Sequence, residues 1–357
     1  MLSTATKAET HTRMPELFGI LHRHFEGDEA LLRLAQGQLE RATMGAEVYP
    51  ATEEEAVRDW QYVPRGLPRH MIHLPRHWDA FSAADRALIL AFAQALPGRV
   101  RGLVFHDGVD WPVRIDELAA ALAQVDEQLA ALPGRPMLFL EYASSLELDD
   151  YLRVLARLSH LRQVSACIDT GHVIIFSAHR SLTARHRDLD VWKLDPSRDG
   201  LAALASDFER AGRQATDDVV GLVDGVARLG KPMHFHLHDG HLLSRLSRYG
   251  VSDHLPFGER IPVSTSLAPS GALSAILGAE GVRRILAAVL AHLSPDDVSL
   301  TLEIHPNLHL TRKPLGEWGR HFIHGTDLSN AELTHAWLDQ VAEQAALVRR
   351  LCGELGP

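Results

Sequence analysis

Histidines and carboxylates recur in this chain where short apolar runs end. His73 closes the run His70-Met71-Ile72-His73, and His106 closes Gly102-Leu103-Val104-Phe105-His106 before Asp107-Gly108. Glu141 ends Met137-Leu138-Phe139-Leu140-Glu141. Asp169 and His172 follow Val164–Ile168 in the stretch Asp169-Thr170-Gly171-His172. His236 and Asp239 lie in His234-Phe235-His236-Leu237-His238-Asp239-Gly240, and Asp253-His254-Leu255-Pro256-Phe257-Gly258 comes next. Glu303 follows Val298–Leu302. A single histidine at a strand end is more often a hydrogen-bonded structural residue than a ligand. A carboxylate there says more, because an ionised carboxylate in an apolar site needs a partner. Glu141 and Glu303, each ending a strongly apolar run, are therefore the best individual candidates. Several carboxylates at one place repel one another unless cations compensate. Imidazole and carboxylate together suit a divalent zinc, manganese or iron ion better than calcium.

Such residues act together only if the fold brings the run ends to one place. The chain alternates strand-like apolar runs with amphipathic stretches. Strands are predicted at Leu17–Leu21, Ala46–Tyr49, His70–Leu74, Gly102–His106, Met137–Glu141, Val164–Ile168, Met233–Leu237 and Val298–Leu302. Helices are predicted over about 28–42, 82–96, 115–132, 148–161, 217–229, 273–293 and 331–351. Ser82 reads as an N-cap, and Pro97-Gly98 and Pro133-Gly134 as helix stops. Eight strands alternating with helices predict an α/β fold, a (β/α)8 TIM barrel with long βα-loop insertions. Near-continuous apolar strands fit a parallel sheet buried on both faces. A doubly wound open sheet is the alternative, but no Gly-rich phosphate fingerprint follows the first strand. In a barrel, catalytic groups sit where strands end and βα loops begin.

The 357 residues, 46% of them hydrophobic, suit one large domain with insertions. We read 1–357 as a single barrel domain, with a flexible tail over 1–15 and an insertion or lid over 176–216, a segment rich in Arg and Asp. Histidine is the unusual residue, with 22 copies, many at strand ends. A net charge of −10 argues against a broad nucleic-acid-binding surface. No apolar run reaches the roughly 20 residues that span a bilayer. The polar start, without an apolar signal core, and only two cysteines, Cys167 and Cys352, point to a cytoplasmic protein without a disulfide framework. The expected partner is a small-molecule substrate. No membrane partner is expected, nucleic acid is disfavoured, and a homo-oligomer stays open.

These residues resemble the xylose isomerase-like TIM-barrel superfamily, which includes endonuclease IV and many sugar isomerases, epimerases and dehydratases. The resemblance runs from about Leu17 to Pro306. It is carried by Asp169-Thr170-Gly171-His172, by His236-Leu237-His238-Asp239 with the following Asp253-His254-Leu255-Pro256-Phe257-Gly258, and by Leu140-Glu141 and Leu302-Glu303. It implies that Glu141, Asp169, His236 and Glu303 form the ligand set shared by single-metal epimerases. It further implies that His73, His106, His172 and His254 are the extra histidines of a multinuclear, endonuclease IV-like site. Asp253 stands next to His254 rather than two residues before it, which assigns it to substrate rather than metal. Where the family has Gly-x-Gly, this chain has Gly258-Glu259-Arg260, so Arg260 is a candidate for an anionic substrate group. The segment between His172 and His236 is longer than the family's connection.

Two reactions fit one such site. The first is isomerase, epimerase or dehydratase chemistry on a small polyhydroxylated or keto substrate. A metal would then stabilise an enediolate, Glu141 or Glu303 would shuttle the proton, and His172 would orient a substrate oxygen. The second is hydrolysis of a phosphate ester or related bond by two or three metals. A non-enzymatic metal-binding protein is a third reading, disfavoured because structural sites are usually closed and local in sequence. His238 reads as a substrate contact, and His238 and His241 as partners orienting a ligand. Trp60, Trp78 and Trp111 read as packing residues, and Cys167 as buried and inert. The arginines of 180–187, with Arg245 and Arg248, read as solvated surface.

Overall fold

The computed structural model describes residues 13–21, 28–188, 204–241, 254–258, 260–262, 272–304 and 331–356. Eight parallel strands close into a barrel: β1 (Glu16–Leu21), β2 (Gly45–Val48), β3 (His70–His73), β4 (Val100–His106), β5 (Met137–Tyr142), β6 (Val164–Asp169), β7 (Met233–Leu237) and β10 (Val298–Leu302). Around the ring each strand neighbours the next in sequence, β7 neighbours β10, and β10 closes on β1. The predicted barrel is present, with every strand within two residues of its expected start and end. A short antiparallel hairpin, β8 (Arg260–Pro262) with β9 (Ala272–Ser274), interrupts the alternation between β7 and β10. It occupies ground expected to begin a helix at 273.

Nine α-helices are found among the described residues: α1 (Glu29–Arg41), α2 (Glu53–Asp59), α3 (Ala83–Ala95), α4 (Ile115–Ala131), α5 (Leu148–Arg157), α6 (Thr170–Arg185), α7 (Ala205–Ala227), α8 (Gly278–Leu290) and α9 (Ala331–Leu355). Their starts follow local chemistry. Asp28, Thr52 and Ser82 accept hydrogen bonds from the backbone N–H groups of Leu31, Glu55 and Asp85, satisfying donors that a helix start leaves open. Gly98 and Gly134 take left-handed backbone conformations after α3 and α4, which glycine adopts without strain.

Within 176–216, read as an insertion or lid, residues 176–185 belong to α6 and 205–216 to α7, which starts at Ala205 rather than near 217, and the two helices pack against each other. The apolar face of α7 explains this: Phe208, Ala211, Ala215 and Val219 are buried and recur at helical spacing. Residues 189–203 and the predicted tail before Arg13 lie outside the described residues.

Two apolar cores result. The larger lies between the barrel's outer face and the helices. The smaller fills the barrel's interior with Phe18, Met71, Val104, Met137, Phe139 and Cys167. Side chains alternate between the two faces of a strand, so each position two residues past an interior one points inward again, nearer the mouth. That parity puts His73, His106, Glu141 and Asp169 above Met71, Val104, Phe139 and Cys167.

Candidate metal centre

Strand register sets the site. β4 and β5 pair His106 with Glu141, and β6 and β7 pair Asp169 with His236. Residues in register across parallel strands share a face, so each carboxylate arrives beside an imidazole. Glu303 enters from β10, where its backbone N–H bonds to Leu237 at 3.2 Å. A shift of one residue in any of these strands would turn its ligand out of the barrel.

The mouth holds three adjoining groups. His73, His106 and Glu141 form the first, Glu141, Asp169, His236 and Glu303 the second, and Asp169, His172, His238 and His254 the third. Within each group one ligand atom per residue lies within 4.8 Å of the others. Glu141 belongs to the first and second groups, and Asp169 to the second and third. The Oε2 atom of Glu141 lies 3.2 Å from Nε2 of His73 and 2.9 Å from Nε2 of His106. Its Oε1 atom lies 3.1 Å from Nδ1 of His236, and that nitrogen lies 3.3 Å from Oε2 of Glu303. Asp169 faces Nε2 of His238 at 2.8 Å and Nδ1 of His172 at 3.1 Å. The Glu303 Oε2 atom lies 3.6 Å from Nε2 of His254, while its Oε1 accepts a hydrogen bond from the Tyr49 hydroxyl at 3.2 Å.

These contacts suit a cation between the groups better than hydrogen bonds do. Oε2 of Glu141, Oδ2 of Asp169, Oε2 of Glu303 and Nε2 of His238 are buried and make no aligned hydrogen bond, although charged or ionisable neighbours surround them. His73 places Nδ1 against the backbone carbonyl of Leu74 at 3.0 Å, and His238 places Nδ1 against that of Asp239 at 3.1 Å. A carbonyl only accepts, so Nδ1 carries a proton in both rings and Nε2 is the atom turned towards the carboxylates. Nε2 beside a carboxylate oxygen needs positive charge there, a proton or a metal ion; burial would lower His73, but Glu141 holds it above its ordinary value. The titration behaviour says the same. Burial alone would raise the carboxyls of Glu141 and Glu303. The imidazoles of His106 and His236 at Glu141, and of His236 and His254 at Glu303, outweigh it and hold both well below the usual range. Burial would likewise lower His236, but Cys167, Glu47, Glu141 and Glu303 hold it well above its ordinary value. The metal-free cluster thus balances its carboxylates with imidazolium, a role divalent ions fill without protons. The residues fit zinc, manganese or iron.

The segment 169–172 assembles two of the groups. Asp169 caps α6 through Oδ1, which accepts the His172 N–H at 2.8 Å and also faces Nε2 of His238, while Oδ2 faces Nδ1 of His172. The Thr170 hydroxyl lies 2.8 Å from the carbonyl of His238 and 3.2 Å from that of His236, tying β6 to the end of β7. Gly171 leaves room for His238, since a Cβ there would fall 1.9 Å from its ring. Asp239, grouped with the ligand types by sequence, has a different task. Its carboxylate accepts from the N–H groups of Gly240, Leu277 and Gly278 at 2.8–2.9 Å, pinning the start of α8.

One buried carboxylate was absent from the sequence-based site. Glu47 on β2 is fully buried one layer deeper in the barrel. It contacts Nε2 of His236 at 3.0 Å, Nε2 of His234 at 3.3 Å and the Thr301 hydroxyl at 2.5 Å. Burial would raise its carboxyl, but His236 and His234 hold it below the ordinary range. Accepting Nε2–H of His236, Glu47 leaves Nδ1 of that ring to face Glu141 and Glu303. A carboxylate inside a short apolar strand was the available signal, the same one that singled out Glu141.

The eight expected ligands, His73, His106, Glu141, Asp169, His172, His236, His254 and Glu303, therefore lie together, joined by His238, which was expected to touch substrate. Asp253 lies outside the described residues, and for Arg260 only its backbone place in β8 is described. Trp60 and Trp111 are buried in the core, and Trp78 packs edge-on to Phe92. Cys167 is buried, which pushes its thiol well above the ordinary value. No helix among the described residues is long and apolar enough to cross a membrane.

No protein-family model matches this chain, and no curated protein matches it. Among solved structures it is similar to the carboxyl transferase domain of Rhizobium etli pyruvate carboxylase with pyruvate, at 9% identity and a TM-score of 0.38 over 97% of this chain and 49% of that one. It is also similar to a variant Rhizobium etli pyruvate carboxylase crystallized without acetyl coenzyme-A, at 10% identity and 0.36, over 97% of this chain and 29% of that one. The chain thus spans half or less of the proteins it matches, and nothing about its reaction follows from them.

Proposed function

We propose that this chain is a metal-dependent enzyme of the xylose isomerase-like kind, a single barrel domain that uses two or three divalent ions to hydrolyse a phosphate ester or related bond in a small molecule. One observation carries the reading: the three ligand groups adjoin, and Glu141 and Asp169 each belong to two of them. Glu141 turns Oε2 to His73 and His106 and Oε1 to His236, as a carboxylate shared by two ions would, and Asp169, common to the second and third groups, would extend the set to a third. The resemblance of His73, His106, His172 and His254 to the extra histidines of the endonuclease IV-like site points the same way.

His73, His106 and Glu141 would hold one ion, Glu141, Asp169, His236 and Glu303 a second, and Asp169, His172, His238 and His254 a third. Bound there, adjacent ions supply a clamp for the attacking and leaving oxygens and lower the pKa of water. The chain does the rest. The carbonyls of Leu74 and Asp239 fix the His73 and His238 rings, and Glu47 fixes His236. Tyr49 orients Glu303 through one oxygen. Asp107, beside His106, is pushed up to about 7 by burial, so it can hold and release a proton near neutrality.

A second reading has its own support. Glu141, Asp169, His236 and Glu303 form a four-residue group by themselves, which suffices for one ion and enediolate chemistry on a keto or polyhydroxylated substrate. Metal analysis of protein purified without added metal separates the two. Two or three equivalents of zinc, manganese or iron per chain, with turnover of p-nitrophenyl phosphate esters, are expected. One equivalent, with ketose–aldose interconversion and no esterase activity, would replace the first reading by the second. No bound metal after growth in metal-replete medium would overturn both.

A further inference from the structure

Beside the centre lies a cavity of about 850 Å³, at the large end for a small-molecule site. One wall is a single face of α6. His172, Ile175, Phe176, His179, Thr183 and Ala184 line it at spacings of three and four, and Arg187 follows just past the helix end. At 1.5 Å per residue this stripe runs about 18 Å from His172 to Ala184. The groove therefore starts on a residue of the metal centre and leads away from it. The opposite wall is Ala143, Ser144 and Ser145, with Arg76 from the loop after β3. Ser144 holds a left-handed backbone conformation (φ 66°), and its hydroxyl donates to the His172 carbonyl at 3.4 Å. A strained non-glycine residue joining the two walls marks a shape that is held rather than incidental.

The chemistry changes along the groove. Ile175, Phe176 and Ala143 make this stretch apolar, and burial lowers His179 to about 4, so its imidazole is uncharged there. Arg180 is neutralised by an ion pair with Glu147, another lining residue. Arg76 and Arg187 are exposed and form no ion pair among the described residues. In a chain of net charge −10, two exposed guanidinium groups that line one groove without an ion pair among the described residues form a local exception suited to an anion.

We propose that this groove is the binding site for the non-reacting part of an amphiphilic anion: a substrate whose reacting group lies at the metal centre, whose apolar chain follows Ile175 and Phe176, and whose far end carries a negative group for Arg76 and Arg187. This rests on the reading of the mouth as a reaction centre. It replaces a compact sugar by a longer molecule, because a compact one would leave most of the groove empty.

Isothermal titration of the full chain tests it, both as purified and after chelation. The probes are octanoate, octyl phosphate, octyl glucoside, acetate and inorganic phosphate. In chelated protein, octanoate or octyl phosphate should bind at least ten-fold tighter than octyl glucoside and than its chain-free counterpart. Preference between the two assigns the head group as carboxylate or phosphate. The double variant Arg76→Glu/Arg187→Glu should weaken the anionic probes at least ten-fold and leave octyl glucoside unchanged. Phe176→Asp should abolish binding of every chain-bearing probe, with circular dichroism and melting temperature confirming that the half-buried position tolerates the change. Octanoate binding no tighter than acetate, or binding indifferent to the arginine pair, would overturn the proposal. Since the decisive titrations use chelated protein, their outcome is independent of the metal count that tests the reaction.

Discussion

Two layers of the barrel interior hold the same residue types and treat them differently. In the deeper layer Glu47 sits among His234, His236 and Thr301, and His234 makes a further bond of 2.8 Å to the Ser299 hydroxyl. Those polar groups partner one another. In the mouth layer Glu141, Asp169 and Glu303 lie as close to their histidines, yet each keeps an oxygen outside any aligned hydrogen bond. Distance alone does not separate the layers; satisfaction does. A buried polar network completed by its own members stabilises one arrangement, whereas one left incomplete carries a standing cost that a ligand can remove. The deeper layer is thus scaffold, and the mouth layer is the part arranged for something the chain does not supply.

The difference predicts opposite phenotypes for one kind of substitution. Glu303→Gln in the mouth keeps the shape and removes a charge. Activity should fall at least about a thousand-fold, as expected when a metal-ligating or transition-state charge is lost. The metal-free variant should lose some stability, since His236 and His254 lose a charged partner, but less than Glu47→Gln, because Glu303 also repels Asp169. Turnover, elemental analysis and calorimetry of the chelated proteins give the three readouts. Full activity in this variant would dissolve the distinction between the layers.

Glu47→Gln should do the reverse. Removing one partner of a buried ion pair typically costs about 3–5 kcal/mol, because the other charge is left uncompensated. Chemical denaturation of the metal-free variant should show a loss on that scale, larger than for Glu303→Gln. Metal affinity should fall about 10–100-fold as His236 loses the partner that orients it. If stability is unchanged and only activity falls, Glu47 belongs to the mouth layer instead.

The mouth was far more legible in sequence than the layer beneath it. Strand-end carboxylates such as Glu141 announce themselves because a charge terminates an apolar run, and Asp169-Thr170-Gly171-His172 adds a motif whose every residue has a task. Glu47 sits inside a four-residue strand, where neighbouring Ala46 and Val48 give no run long enough to make it conspicuous. His238 and Asp239 defeat sequence reading in another way. They are adjacent and similar in chemistry, and only the third dimension separates them: one ring reaches Asp169, and one carboxylate turns back to the N–H groups of Gly240, Leu277 and Gly278. The barrel itself was legible because eight apolar runs had the right length and spacing. The length of α7 was not, because the charged residues on its exposed face hide the apolar stripe when they are read linearly.

The smallest expected effect concerns a third histidine environment, at the opposite end of the barrel. His70 begins β3, and its Nδ1 accepts the backbone N–H of Ala46 at 3.0 Å. Burial disfavours its charged form and lowers it to about 4 from the ordinary 6.5. An acceptor nitrogen must stay unprotonated, so the fold binds this ring's proton less readily than the unfolded chain does. The sign follows. The stabilisation is fully present above pH 6.5, declines as the unfolded ring protonates, and is lost once the pH passes below about 4. Its whole extent is about 3 kcal/mol. His70→Gln keeps a side-chain acceptor without a titrating group, and should flatten that part of the stability profile between pH 6.5 and 4. The mouth histidines should contribute the opposite slope in chelated protein: His236, held well above its ordinary value, stabilises the fold at low pH and loses that contribution as the pH rises. Denaturation midpoints across this range, for the parent and His70→Gln with and without metal, resolve the two slopes. An unchanged profile in His70→Gln would mean that the ring at the barrel's base does not titrate with folding, leaving the mouth as the source of the chain's pH dependence.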